Sequence, residues 1–200
     1  MTASVSLGRQ IDAVVIGASA GGVEALSVLL PAVPSGTKAA FFIVLHLPRD
    51  RPSMLAEIFA RKCALPVREA EDKESVAPGT VYFAPSNYHL LVDQGPQLAL
   101  SADELVHHSR PSIDVLFESA ADVYGNRLLG VILTGANEDG AAGLAAVQEG
   151  GGITVVQQPE TARSPQMILS ALKLRPADKV LPLDGIAALF ETLAPQGVPI

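Results

Sequence analysis

Cysteine occurs once in this chain, at position 63, and tryptophan does not occur at all. A lone Cys63 excludes an internal disulfide framework and fits a reducing compartment. Aromatic residues make up only 4% of the sequence, so the core must be assembled from Val, Leu, Ile and Ala. No apolar run approaches the roughly 18 residues that span a bilayer. The N-terminal "MTASVSLGRQ" lacks the basic start and apolar centre of a secretion signal. The expected location is the cytoplasm, without a membrane-embedded segment. Basic residues are also in deficit, with 14 Lys and Arg against 21 Asp and Glu, a formal charge of −7. The nearest thing to a basic stretch, "LPRDRPS", mixes both signs, so nucleic acid is not an expected partner. Metal-ligand spacing is missing too. His89, His107 and His108 form no such pattern with a carboxylate or with Cys63. The adjacent His107 and His108 read as solvated, and Cys63 as a small buried residue rather than a reactive thiol.

What is present is 200 residues, 48% of them hydrophobic, enough for a single domain with a sizeable core. "IDAVVIGAS" reads as a buried strand ending near Ala18, followed by a helix over "GGVEALSVLLPAV" that stops at Pro34. "AAFFIVLHL" is a second buried strand. "PSMLAEIFARKC" is a helix with Pro52 and Ser53 at its start, and "LPVREA" a short third strand. Residues 79–101 change character. Short β-rich runs separated by "APSN" and "DQGP" predict antiparallel strands inserted into the main pattern. Alternation then resumes. "RPSIDVLFESAADVYG" is a helix ending at Gly125, "RLLGVILTG" a strand, "DGAAGLAAVQEGG" a helix and "GITVVQQ" a strand. Two more helices, "SPQMILSALK" and "DGIAALFETL", are joined through "KVLPL". Strands of continuous apolar residues alternating with helices predict one α/β domain. It is doubly wound around a mostly parallel sheet, a Rossmann-like three-layer arrangement with an antiparallel hairpin insertion.

In open parallel sheets, chemistry gathers beyond the carboxyl ends of the strands. Ser19 follows the first strand, His46 the second, and Asn137, Glu138 and Asp139 follow "VILTG". A serine hydroxyl needs a base to take its proton, and that base needs an acid to orient it. "GASAG" fits the G-x-S-x-G strand-to-helix turn of a nucleophile. The helix that opens at Gly21 and Gly22 aims free N–H groups back at the turn, where they can hold an oxyanion or a phosphate. A dinucleotide site would want Gly at position 19 and an acidic residue ending the second strand. The chain has Ser19 and, at that end, Leu45, His46 and Leu47. Taken singly, His46 reads as a structural histidine and Asp139 as an N-cap for "GAAGLAAV". Glu138 is a rival to Asp139 as the acid.

The segments "IGASAGGVEAL", "FFIVLHLPRDRPSMLAE", "VAPGTVYFAPSNYHLLV", "RPSIDVLFESAA", "GVILTGANEDGAAGL" and "TARSPQMILSAL" run in the order found in one family. Through them the chain resembles the catalytic domain of the chemotaxis protein-glutamate methylesterases, the CheB family, from about residue 12 to 173. The resemblance implies a serine hydrolase that removes methyl groups from glutamate side chains on cytoplasmic chemoreceptor helices, and it admits deamidation of receptor glutamines. It matches Ser19 to the nucleophile, His46 to the base, Asp139 to the acid and the Ala136 N–H to an oxyanion donor. Ala20 and Gly21 are further backbone candidates for that donor role, and Arg49, Arg51 and Arg110 are candidates for holding an acidic substrate. No cofactor or metal is implied. The chain departs from the family's usual pattern at Ala20, often Thr, and at Leu45, often Gln. It departs again in "LTGANEDG", where L-T-G-M-G-x-D-G is usual. The family's N-terminal receiver domain has no counterpart ahead of the first strand, so residues 1–200 are expected to be one catalytic domain, with any regulator acting in trans. The competing expectation is a catalytically silent module that docks on a signalling complex.

Overall fold

The computed structural model describes residues 7–46 and 53–194. Seven parallel strands form the main sheet: β1 (Ala13–Ala18), β2 (Ala40–Leu45), β3 (Val67–Glu69), β4 (Val81–Phe83), β7 (Leu128–Ile132), β8 (Ile153–Gln157) and β9 (Lys179–Leu181). Their order across the sheet is β3-β4-β2-β1-β7-β8-β9. The hairpin β5 (His89–Asp93) and β6 (Gln97–Ser101) forms a separate antiparallel pair. The helices are α1 (Gly22–Leu29), α2 (Leu55–Ala60), α3 (Ile113–Tyr124), α4 (Ala141–Glu149), α5 (Gln166–Leu174) and α6 (Leu183–Glu191).

The layering follows from the period of two along each strand. Val14, Ile16 and Ala18 of β1 point to one face and pack with α1, α2 and α6 through Leu26, Phe59, Ile186 and Phe190. Ala13 and Val15 point to the other and pack with α3, α4, α5 and the hairpin through Phe117, Leu144, Ile168 and Leu90. The three central strands have no solvent-facing side, which is why they read as unbroken apolar runs.

Three sequence expectations shift in detail. Among the described strands the hairpin alone departs from the parallel pattern. Val81–Phe83, inside the expected 79–101 insertion, joins the main sheet parallel to β2 and β3. "KVLPL" is more than a connection, since Lys179–Leu181 pairs in parallel with β8 as an edge strand. The helix expected over "PSMLAEIFARKC" is confined to Leu55–Ala60, and Pro52 lies outside the described residues.

β1 leads into α1 on one face, whereas its neighbour β7 leads into α4 on the opposite face. Connections diverging from adjacent strands open a crevice at their carboxyl ends.

Candidate active site

Ser19 follows β1 directly. The glycines around it answer to packing as well as to turning. A Cβ on Gly17 would lie 2.4 Å from Ile113 Cγ2, so Gly17 lets the start of α3 rest on β1. A Cβ on Gly22 would lie 2.4 Å from Leu45 Cδ1. Gly21, at φ 85°, has the left-handed backbone that starts α1. The turn is also held from below. The Ser19 N–H donates to the Thr134 carbonyl at 2.9 Å, and the Thr134 hydroxyl donates to the Ala20 carbonyl at 2.8 Å. The Ser164 N–H in turn donates to that hydroxyl at 3.0 Å.

His46 follows β2, one residue beyond the register pair Ala18–Leu45, and its N–H donates to the Ala18 carbonyl at 3.0 Å. Ser19 and His46 therefore emerge side by side at one rim of the sheet. The Ser19 hydroxyl makes no hydrogen bond among the described residues. His46 is nearly enclosed, and its Nε2 lies 2.9 Å from Asp139 Oδ2.

Asp139 has no solvent exposure. Besides His46 it accepts hydrogen bonds from the Ser112 hydroxyl (2.9 Å), the Ile113 N–H (2.8 Å) and the Asp114 N–H (3.0 Å). The sequence expectation that Asp139 would cap α4 is corrected: it caps α3. Asp114 does the reciprocal work, accepting from the N–H groups of Gly140 at 2.9 Å and Gly143 at 2.6 Å at the start of α4. The two helix starts cross, and each carries the other's carboxylate.

The two buried carboxyls are pushed in opposite directions. Burial alone would raise Asp139. The His46 hydrogen bond, the N–H groups of Asp114 and Ile113 and the His46 charge outweigh it and hold the carboxyl below the ordinary Asp range. For Asp114 burial prevails, reinforced by the charge of Asp139 and only partly offset by Gly143, His107 and Gly140, so its carboxyl titrates above the ordinary range. With Asp139 ionised and accepting, His46 carries its proton on Nε2 and offers the Nδ1 lone pair. Facing Nδ1 at 3.4 Å is the Asn137 amide nitrogen. The other end of that amide, Oδ1, is buried without a partner.

Glu138, the rival acid, is exposed and turned away from His46, with His107 Nδ1 at 3.3 Å from its carboxylate. His107 is exposed, as the sequence suggests, and its Nε2 also lies 3.2 Å from an Asp114 carboxylate oxygen. His89 is buried, between the Glu104 carbonyl and the Ser112 N–H. Cys63 is half-buried, and burial pushes its thiol up, away from the reactive thiolate. The Ala20, Gly21 and Ala136 N–H groups donate to nothing else among the described residues, which leaves them available to a ligand. Arg110 is occupied. Its guanidinium bonds the Asn87 side chain and the carbonyls of Ala102 and Asp103. Arg49 and Arg51 lie outside the described residues. No group of three or more His, Cys, Asp or Glu among the described residues could hold a metal ion, and no helix among them is long and apolar enough to cross a membrane.

Sequence reasoning missed Ser112, Asp114 and Thr134. Ser112 was legible as an N-cap, because Ser precedes an apolar-periodic run. Its donation to Asp139, 27 positions away, had no local trace.

The sequence model of the CheB methylesterase family matches residues 14–190. A Leptospira interrogans protein provisionally named protein-glutamate methylesterase/protein-glutamine glutaminase is 46% identical over 179 residues, covering 90% of this chain and 93% of that one. A Carboxydothermus hydrogenoformans protein-glutamate methylesterase/protein-glutamine glutaminase is 41% identical over 185 residues, covering 90% of this chain but 54% of its own length. The crystal structure of the Thermotoga maritima CheB methylesterase catalytic domain superposes with a TM-score of 0.85 at 33% identity, covering 93% of this chain and 98% of that one. The sheet order, the rim that carries Ser19 beside the His46–Asp139 pair, and a family match that runs through all three lead to one assignment: this chain belongs to the CheB methylesterase family.

Proposed function

We propose that this chain hydrolyses methyl esters of glutamate side chains on the cytoplasmic helices of chemoreceptors, and deamidates receptor glutamines, through Ser19, His46 and Asp139. The observation that carries the reading is the His46–Asp139 hydrogen bond of 2.9 Å at the strand end adjoining Ser19. Asp139 holds the imidazole with Nδ1 unprotonated. Ser19 Oγ attacks the ester carbonyl and gives its proton to Nδ1. The tetrahedral oxyanion is held by backbone N–H groups at Ala20, Gly21 and Ala136, each worth about 3 kcal/mol in the transition state. Methanol leaves with the proton from Nδ1. Water then adds to the acyl-enzyme through the same base and releases the glutamate carboxylate. No metal or organic cofactor takes part. Within residues 1–200 every group of this reaction is present, and control by a partner in trans is the regulation this reading expects. With Arg110 committed to its own loop, Arg49 and Arg51 remain the candidates for holding an acidic helix.

The alternative, a silent docking module, has no use for a buried carboxylate bonded to a histidine beside a free serine. Methanol release from methylated receptor peptides tests the proposal. Turnover is expected in the parent chain, with a loss of roughly 10³-fold or more in Ser19→Ala. A folded Ser19→Ala variant with near-parent turnover would overturn the assignment of the nucleophile. A parent that releases no methanol and takes no fluorophosphonate label would favour the docking module.

A further inference from the structure

We infer that Asn137 is a specificity-determining residue that favours amide over ester as the bond broken, an inference that rests on the proposed function. Asn137 stands in "LTGANEDG" where the resemblance leads one to expect Gly, so its side chain adds a group to the catalytic rim. Its Nδ2 faces the basic nitrogen of His46 at 3.4 Å, and its Oδ1 is a buried acceptor with no donor. Whatever leaves the substrate must come within about 2.6–3.2 Å of His46 Nδ1 to be protonated. It therefore takes the place next to the Asn137 amide.

The two leaving groups differ in what they bring there. In deamidation Ser19 Oγ bonds to the glutamine side-chain carbon, and its proton passes to Nδ1. The C–N bond then breaks as the nitrogen takes that proton, and ammonia departs. Water adds to the ester so formed, returns a proton to Ser19 through Nδ1, and leaves glutamate. During the first half the nitrogen carries N–H groups beside Asn137. A methoxy group carries only lone pairs. The amide plane of Asn137 turns about a soft terminal torsion, and turning it breaks no bond at Oδ1 because none is made there. Oδ1 can thus accept an N–H that the departing nitrogen already bears, whereas the one proton of departing methanol is the one it takes from Nδ1. A site with an acceptor placed for an N–H discriminates in favour of the leaving group that brings one.

The test uses two receptor-helix peptides that differ only in Gln against glutamyl methyl ester at one position. Ammonia and methanol release are measured for the parent, Asn137→Ala and Asn137→Gly, and the folding of each variant is checked by circular dichroism. The amide-to-ester ratio of kcat/KM is expected to fall about tenfold in either variant. Asn137→Asp, which keeps an acceptor oxygen at the same place, is expected to hold the ratio near the parent's. A general loosening of the loop would lower both rates and leave the ratio alone, so an unchanged ratio in a folded Ala or Gly variant overturns the inference. So does a parent that cleaves the ester but not the amide. A parent that cleaves neither overturns the proposed function, and this inference with it.

Discussion

Asp139 has two duties, and they are not separable. It orients His46 and it satisfies the start of α3, with its carboxylate buried from bulk solvent. In Asp139→Asn one of the two oxygens becomes an NH2 donor, so either the His46 Nε2–H and Ile113 N–H on Oδ2 or the Ser112 hydroxyl and Asp114 N–H on Oδ1 lose their acceptor. Turnover is expected to fall roughly 10³-fold or more, and stability by about 1–3 kcal/mol for the group left unpaired. Glu138→Gln should stay within a few-fold of the parent, since Glu138 is exposed and its carboxylate pairs with His107, not with His46. Methanol release and urea melts on both variants check this, and the reverse order would move the acid to Glu138. The sign of the acid response follows from the depressed Asp139 carboxyl. Its contribution to stability is present above the unfolded Asp value of about 3.9 and is lost as pH falls through its lower folded value. Ser19, His46 and Asp139 were legible in the sequence because each follows an apolar strand. Asn137 was visible there too, but its place against His46 Nδ1 depends on how the loop folds back, which no spacing encodes.

At the scale of elements, the crossed starts of α3 and α4 make Asp114 informative. Its folded carboxyl is raised, so its ionised form opposes folding once pH passes the unfolded value, and the penalty is complete above the folded one. Asp114→Asn keeps an acceptor for the Gly140 and Gly143 N–H groups and removes the charge. It is expected to match or exceed the parent's stability at pH 7, and to lose any advantage at a pH below the unfolded value. Asp114→Ala removes the acceptor and should cost about 1–3 kcal/mol at either pH. Thermal melts at two pH values compare all three proteins. Gly17 supplies the second test. Gly17→Ala drives a methyl into Ile113 and should cost about 1–3 kcal/mol by overpacking. Adding Ile113→Ala should recover part of that loss, a coupling a double-mutant cycle measures. The element boundaries show where sequence reading stops. α3 and its Gly125 end were readable from apolar period and a glycine stop. β9 was not, because Lys179–Leu181 is a three-residue edge strand with too few positions to display a period. β4 reads in the sequence as part of the insertion for the same reason, being a short run between turns.

For the whole molecule, the alternation of strands and helices was enough to give a doubly wound sheet, because apolar strands covered on both faces admit few other arrangements. The strand order and the crossing of α3 with α4 were beyond reach, since both depend on contacts distant in sequence. All groups of the proposed reaction lie on this one framework. A phosphodonor such as acetyl phosphate is therefore expected to leave the methylesterase rate of the 200-residue chain unchanged, with no phosphate adduct in the intact mass. A large activation accompanied by an adduct would reveal a switch elsewhere in the chain. The exchange of carboxylates between α3 and α4 also bears on how the molecule opens. The amides of Ile113 and Asp114 are protected by a residue of the α4 loop, and those of Gly140 and Gly143 by a residue of α3. Neither helix can fray at its start without stripping the other, so these four amides should exchange with solvent deuterium as one cooperative unit. The opening that exposes them is also the one that releases His46 from its carboxylate. Their exchange rate thus reads out the lifetime of the competent site without any substrate present.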